Sequence, residues 1–305
     1  MPSAFAGFTV LRKLGEGGQS AVYVAHRPDL GTCALKLLRP EVSTDPRYID
    51  HFLTEADLSL LLSSNNLVRT FEAGDHEGCY YIAMELVEGQ DLALFAWRMR
   101  QLHAPLPVEF CCFVLSEILA GLAHLHDAKG ASGEPLELIH RHITPHNIFC
   151  SYTGRVVLGD FGIAHVKAYG APVGAVGKLG YLAPEQLSAP GYDHRADLFA
   201  CGIVLWELLT GARLFEGDED EILDRIEDAD VPRPSKLDPR VTPAVEKVVM
   251  SALERKPKDR FQDAASFRAA LQPLFSPLIC NELSLSAMMQ TIFADEIAKR
   301  PGGGG

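Results

Sequence analysis

Near Glu88–Gly89 the chain turns from mainly strand-like to mainly helical apolar patterns, and that change limits the fold more than any other feature. Before it, short runs rich in β-branched and aromatic residues are separated by turn residues. Phe8-Thr9-Val10-Leu11 leads into Gly15-Glu16-Gly17-Gly18-Gln19-Ser20. Ala21-Val22-Tyr23-Val24-Ala25 follows, then Cys33-Ala34-Leu35-Lys36-Leu37-Leu38 beyond a Pro28-Asp29 and Gly31 turn. These read as an antiparallel meander. A helical pattern from about residue 46 to 62 carries Phe52, Glu55, Leu58 and Leu62, and two more strands flank the turn at 74–78 and end at Met84. After Gly89 a long apolar segment at 107–127 reads as a helix, 193–210, 219–228, 243–254 and 263–271 also read as helices, and 156–158 is one short strand. A small strand-rich part followed by a larger helical one is a two-lobed α+β plan.

Composition excludes several alternatives. Apolar residues at 47% and charged residues at 22% describe an ordinary globular chain. A net charge of -12 with no Lys/Arg cluster argues against nucleic acid as a partner. The seven cysteines share no CxxC spacing and several sit in apolar runs, so buried thiols are expected rather than disulfides or a zinc site. The start of the chain lacks the pattern of a signal peptide and no uncharged apolar run reaches 18 residues, so no membrane segment is expected and the cytoplasm is the expected location. Gly302–Gly305 read as a flexible end.

Glycines in the turn at 15–18 would let backbone N–H groups approach a phosphate, although a plain hairpin turn has the same look. Lys36 favours the first reading. A lysine inside an apolar strand needs a partner, and Glu55 on the following helix is the obvious one. His124 and His126 are helix-end histidines without Cys or Asp at ligand spacing, and a metal site there is not expected.

Further along stand Ile139-His140-Arg141-His142-Ile143-Thr144-Pro145-His146-Asn147, then Asp160-Phe161-Gly162, and Ala183-Pro184-Glu185. They resemble, in order, the catalytic loop, the metal-binding motif and the end of the activation segment of protein kinases. The resemblance runs over residues 8–274 and is strongest to bacterial Ser/Thr kinases of the eukaryotic type. It implies a strand-rich lobe at 8–88, a helical lobe at 89–274, a helical extension at 275–300 and a glycine-rich end at 301–305. It also implies roles. Gly15, Gly17 and Gly18 would cover the phosphates of ATP or ADP, and Lys36 would contact them while paired to Glu55. Asn147 and Asp160 would hold Mg²⁺. Met84 is the gatekeeper position, the backbone at Glu85 and Val87 would meet the adenine edge, and Val22, Ala34 and Phe149 would enclose its ring. Asp197 and Gly202 lie in the helix that anchors the catalytic loop, and Arg260 stands where the family pairs an arginine with Glu185.

The chain departs from the family at one decisive place. The loop reads His-Arg-His where the family has His-Arg-Asp, so His142 occupies the position of the residue that takes the substrate proton. Loss of a general base typically costs on the order of 10²–10⁴-fold in rate. Between Gly162 and Ala183 there is no Ser or Thr, Lys178 stands where a Thr is common, and Gly170, Gly174, Gly177 and Gly180 loosen the segment. Ser59 and Thr70 fall where active kinases stack apolar side chains. The expectation is an ATP-binding pseudokinase that works through a protein partner. A slow Ser/Thr kinase with His142 as base and a nucleotide-independent scaffold are the alternatives. The extension carries apolar residues at 285, 288, 289, 292 and 293, a helical face that could pack back on the helical lobe or present a docking surface.

Overall fold

The computed structural model describes residues 4–160, 164–165, 179–188 and 191–299, with only the backbone described at 164–165. Phe161, Gly162, Gly170, Gly174, Gly177, Lys178 and residues 301–305 lie outside the described residues.

The first lobe is one antiparallel sheet. Its strands are β1 (Ala4–Phe5), β2 (Phe8–Glu16), β3 (Ser20–Arg27), β4 (Gly31–Leu38), β5 (Thr70–His76) and β6 (Cys79–Glu85), in the order β1-β2-β3-β4-β6-β5. Helix α1 (Pro46–Leu60) begins at Asp45, whose side chain accepts the Arg47 N–H, with Pro46 in the first turn where its missing donor costs nothing. β4 lies inside the sheet, and its alternation determines what meets α1. Cys33, Leu35 and Leu37 pack with Phe8, Ala25 and Ala83 on one face. Leu38 packs on the other face with Phe52 and Ala56 of α1 and with Ile82. Lys36, two residues before Leu38, therefore points toward α1.

The second lobe is built around α3 (Val108–His126) and α5 (Arg195–Thr210), joined by α2 (Leu92–Gln101), α4 (Pro184–Ser188), α6 (Glu219–Asp228), α7 (Pro243–Ala252) and α8 (Ala264–Leu271). By length and composition α3 could cross a membrane, but most of it is buried in the core of this lobe. A three-stranded sheet, β7 (Gly89–Asp91), β9 (Ile148–Ser151) and β10 (Val156–Leu158), lies at the junction of the lobes. β8 (Leu138–Ile139) pairs with β11 (Ala164–His165). Gly89 pairs with Ser151, and a Cβ at Gly89 would lie 2.1 Å from the Cys150 carbonyl oxygen, so only glycine fits where the chain passes between lobes.

The C-terminal extension forms α9 (Glu282–Ile292) and α10 (Ala294–Ala298) and packs on the helical lobe. Asn281 caps α9 reciprocally with Ser284. Leu285, Met289 and Phe293 are fully buried, and the Phe293 ring lies 6.4 Å from those of both Phe95 and Tyr152. Ser286 Oγ and Gln290 Nε2 both donate to the Tyr152 carbonyl, at 2.8 and 3.2 Å. Gly154, at φ +93°, leaves room for α9: a Cβ there would come within 1.8 Å of the Glu282 carbonyl oxygen. Removing a fully buried phenylalanine from such a seat costs about 3–5 kcal/mol. Phe293→Ala is expected to lower the unfolding free energy in urea by that amount, whereas Leu283→Ala, at an exposed position of α9, should stay within about 0.5 kcal/mol of the parent.

Candidate nucleotide and phosphotransfer site

At the meeting of the lobes Lys36 Nζ lies 2.6 Å from Glu55 Oε1 and 3.0 Å from Asp160 Oδ1. The Lys36 and Glu55 side chains are each 9% exposed and that of Asp160 is 43% exposed, so the open edge of the group is its aspartate. Burial alone would push the Lys36 ammonium down, but Asp160 and Glu55 outweigh it and its pKa ends above the ordinary value. Lys36 in turn holds the Asp160 carboxyl well below the usual range, against the effect of burial and with help from a hydrogen bond to His142. Asp160 sits at φ 54°, a left-handed conformation that Asp tolerates better than most residues.

His142 Nδ1 lies 3.0 Å from Asp160 Oδ2. The loop carrying it is held from below by Asp197 on α5. This buried carboxylate accepts the His140 N–H at 2.8 Å and the Arg141 N–H at 2.9 Å, and its Oδ2 lies 2.9 Å from His126 Nε2. The His142 N–H donates to His140 Nδ1 at 3.2 Å, and Asn147 Nδ2 donates to the His142 carbonyl at 2.9 Å. The Asn147 carbonyl accepts from Gly159, so Asn147 ties the loop to the residue preceding Asp160. His140 is therefore an acceptor at Nδ1 and neutral, and burial pushes its pKa down to about 4.

The other expected residues fall around this group. Gly15 pairs with Val22 and Val22 with Lys36 across β2, β3 and β4, and the Gly17 N–H closes the turn on the Ser20 carbonyl at 2.8 Å. A Cβ at Gly15 or Gly18 would meet nothing within 4 Å. The protein itself has no steric need for glycine at either place, and the turn leaves open space that a phosphate can use. Ala34 faces Met84 across the β4–β6 pairing, and Thr70 pairs with Met84 from the other side. Phe149 on β9 lies under Gly159, whose Cβ would come within 3.1 Å of its ring. The Glu85 N–H is used by Arg69 and its carboxylate by Arg155, whereas among the described residues no hydrogen bond uses the Val87 N–H. These positions suit an adenine nucleotide: an open glycine turn, a buried ammonium and an unused backbone donor at the lobe junction. For Mg²⁺ the oxygen donors are the Asp160 carboxylate and the Asn147 amide, and among the described residues no group of three His, Cys, Asp or Glu side chains converges as a metal site.

Glu185 and Arg260 form the expected bidentate pair, at 2.6 and 2.7 Å, with Arg260 buried. Ser59 and Thr70 are both buried, and the Ser59 hydroxyl donates to the Ala56 carbonyl. Sequence reasoning missed two contacts here. His126 serves Asp197, and Arg39 reaches back to the Gly17 carbonyl at 3.2 Å to hold the glycine turn. Neither pairing has a spacing signal, because each joins elements distant in the chain or across a turn.

A small β lobe and a helical lobe joined by one lysine–carboxylate group, under a glycine turn and over a pinned loop, define the protein kinase fold. The Protein kinase domain family model matches residues 8–275, and the chain belongs to that family. It is similar to the tyrosine-protein kinase MasK of Myxococcus xanthus (strain DK1622), at 33% identity over 96% of this chain and 47% of that protein. It is also similar to the serine/threonine-protein kinase PrkC of Bacillus subtilis (strain 168), at 31% identity over 90% of this chain and 41% of that protein. The chain thus spans less than half the length of these two relatives. The crystal structure of the Mycobacterium tuberculosis PknI kinase domain superposes with a TM-score of 0.67 at 26% identity, covering 88% of this chain and 96% of that one.

The His140 environment makes a pH prediction. Unfolded, its pKa is about 6.5; folded it is about 4. Between those values the unfolded chain binds the proton and the folded chain does not, so stability falls as pH drops through this window. The Asp197 carboxyl, depressed although burial opposes it, adds a further loss at still lower pH. Urea unfolding at pH 7 and pH 4.5 should differ by about 2–3 kcal/mol from His140, and His140→Asn should flatten that part of the slope.

Proposed function

We propose that the chain binds an adenine nucleotide between its lobes, transfers phosphate far more slowly than an ordinary protein kinase, and acts through a protein partner. The observation that carries this reading is the bond from His142 to Asp160. In the family pattern an Asp at this place orients the substrate hydroxyl and accepts its proton. Here the side chain is an imidazole whose Nδ1 is already engaged by Asp160. ATP, when bound, would supply the phosphoryl group, and any Mg²⁺ bound with it would offset part of its charge. The chain's own part is to hold the phosphates with Lys36 and the turn at Gly15, Gly17 and Gly18, and to enclose the base with Val22, Ala34, Met84, Val87 and Phe149. Asn147 and Asp160 are the metal-binding candidates.

A second reading has an observation of its own. An Nδ1–H donated to Asp160 leaves Nε2 as the acceptor, the arrangement by which a carboxylate orients a histidine base. That favours a slow kinase with His142 as its base. The relatives' names, one a tyrosine kinase and the others serine/threonine kinases, support a kinase ancestry and leave the acceptor hydroxyl open.

Calorimetry with ATP and transfer of γ-labelled phosphate to generic protein substrates test both readings on one preparation. ATP should bind, and Lys36→Met should weaken it about tenfold or more, since a buried ammonium facing phosphate is lost. His142→Asp should raise label transfer, by less than the roughly 10²–10⁴-fold value of a well-placed base, because Lys178 stands in the substrate-binding segment. Transfer at an ordinary rate by the native chain, lowered by H142D, would replace the first reading with the second. No heat with ATP would leave a scaffold.

A further inference from the structure

We infer that this cleft binds its nucleotide without requiring a divalent cation, because the His142 ring Nδ1–H occupies the Asp160 oxygen that a metal would otherwise neutralise. The inference rests on the nucleotide-binding reading and concerns how the charge of that ligand is balanced. Both oxygens of Asp160 are engaged, Oδ1 by Lys36 and Oδ2 by His142, each at 3.0 Å.

The His142 contact is built into the loop. Its side chain is 16% exposed, its N–H is held by His140 and its carbonyl by Asn147. The two residues before it hang from buried Asp197. A histidine so held meets Asp160 without first being ordered, and the bond it donates to a carboxylate is of the stronger, charge-assisted kind.

The charges point the same way. Lys36 is one ammonium facing two carboxylates, Glu55 and Asp160. An Asp at position 142 would add a third and set it against Asp160, and close carboxylates of that kind need a cation or a shared proton. With His142 in place that demand is gone. What the protein itself offers a metal is one amide and one carboxylate already bearing two N–H donors, and waters and phosphate oxygens would have to supply the rest of the near-octahedral shell that Mg²⁺ requires. Magnesium and His142 therefore compete for Oδ2, and displacing His142 cancels much of the gain from binding the ion.

Calorimetry of ATP binding in EDTA and in millimolar MgCl₂, on the full chain, tests this. The native protein should bind ATP in EDTA with a Kd within about threefold of that in Mg²⁺, well under the 1.4 kcal/mol that makes a tenfold change. His142→Ala should bind about tenfold more weakly in EDTA and recover in Mg²⁺. His142→Asn, whose amide N–H can take the place of Nδ1–H, should behave like the native chain. Circular dichroism melts establish that the variants fold; if His142→Ala does not, the native and His142→Asn titrations decide alone. ATP binding by the native chain that weakens more than about tenfold in EDTA overturns the inference and leaves nucleotide binding standing. An unchanged Kd for His142→Ala in EDTA also overturns it. Absence of binding in both buffers overturns the inference together with the nucleotide-binding reading.

Discussion

A lysine in the middle of an interior strand stays charged only if anions come to it, and the arrangement of the two lobes follows from where those anions lie. Glu55 comes from α1, packed on the same sheet, and Asp160 from the segment after β10 in the helical lobe. One ammonium therefore joins three separate parts of the chain. Removing either carboxylate leaves a buried charge with half its compensation, a far larger loss than that of an exposed ion pair. The sheet can shift over the helical lobe only by stretching this group, so the geometry of the cleft is tied to the Lys36 position.

The loop beneath is organised by a second buried charge. Asp197 spends its oxygens on two backbone N–H groups and on His126, which aligns residues 140 and 141 and so sets where His142 begins. Arg141 at φ 66° and Asp160 at φ 54° are left-handed residues on either side of the resulting contact. Conformations of this kind cost about 1–2 kcal/mol each and persist where the surrounding bonds over-determine them. Here those bonds are the Asp197 acceptor, the Lys36 pair and the His142 contact.

Much of this was legible beforehand, for identifiable reasons. Lys36 stands out because a charge interrupts a continuous apolar strand, and Glu55 because it falls on the apolar face of the next helix. α1, α6 and α7 follow amphipathic helical patterns, whereas α3 and α5 read as helices from long apolar runs buried on nearly all sides. α2 carries Leu92, Phe95, Ala96 and Met99 at helical spacing, yet Trp97 and Leu102, both about half exposed, blur the stripe. β7 and β8 are three and two residues long and have no period to read. The His142–Asp160 bond was illegible for another cause: it depends on the direction of a side chain set by Asp197, Asn147 and His140 together, and no spacing encodes that. Residue type alone suggested the loss of a base, whereas the structure adds where the imidazole goes instead.

The extension shows how a segment remote from the cleft bears on it through packing alone. α9 rests on the β9–β10 turn, with Ser286 and Gln290 on the Tyr152 carbonyl and the Glu282 backbone against Gly154. The next residue, Arg155, pairs with Glu85 at 2.6 Å at the end of β6, where the chain leaves the first lobe. Its other guanidinium nitrogen donates to the Asn65 carbonyl, between α1 and β5. The turn that receives the extension is thus the same turn that holds the lobe junction. Three fully buried side chains, Leu285, Met289 and Phe293, secure the extension, each worth about 1.5–3 kcal/mol of buried apolar surface. An Arg155 so buttressed restrains Glu85, and through Glu85 the backbone that leads to the unused Val87 donor. The part of the cleft that would face a base is therefore held from behind by Arg155 and the turn on which the extension rests.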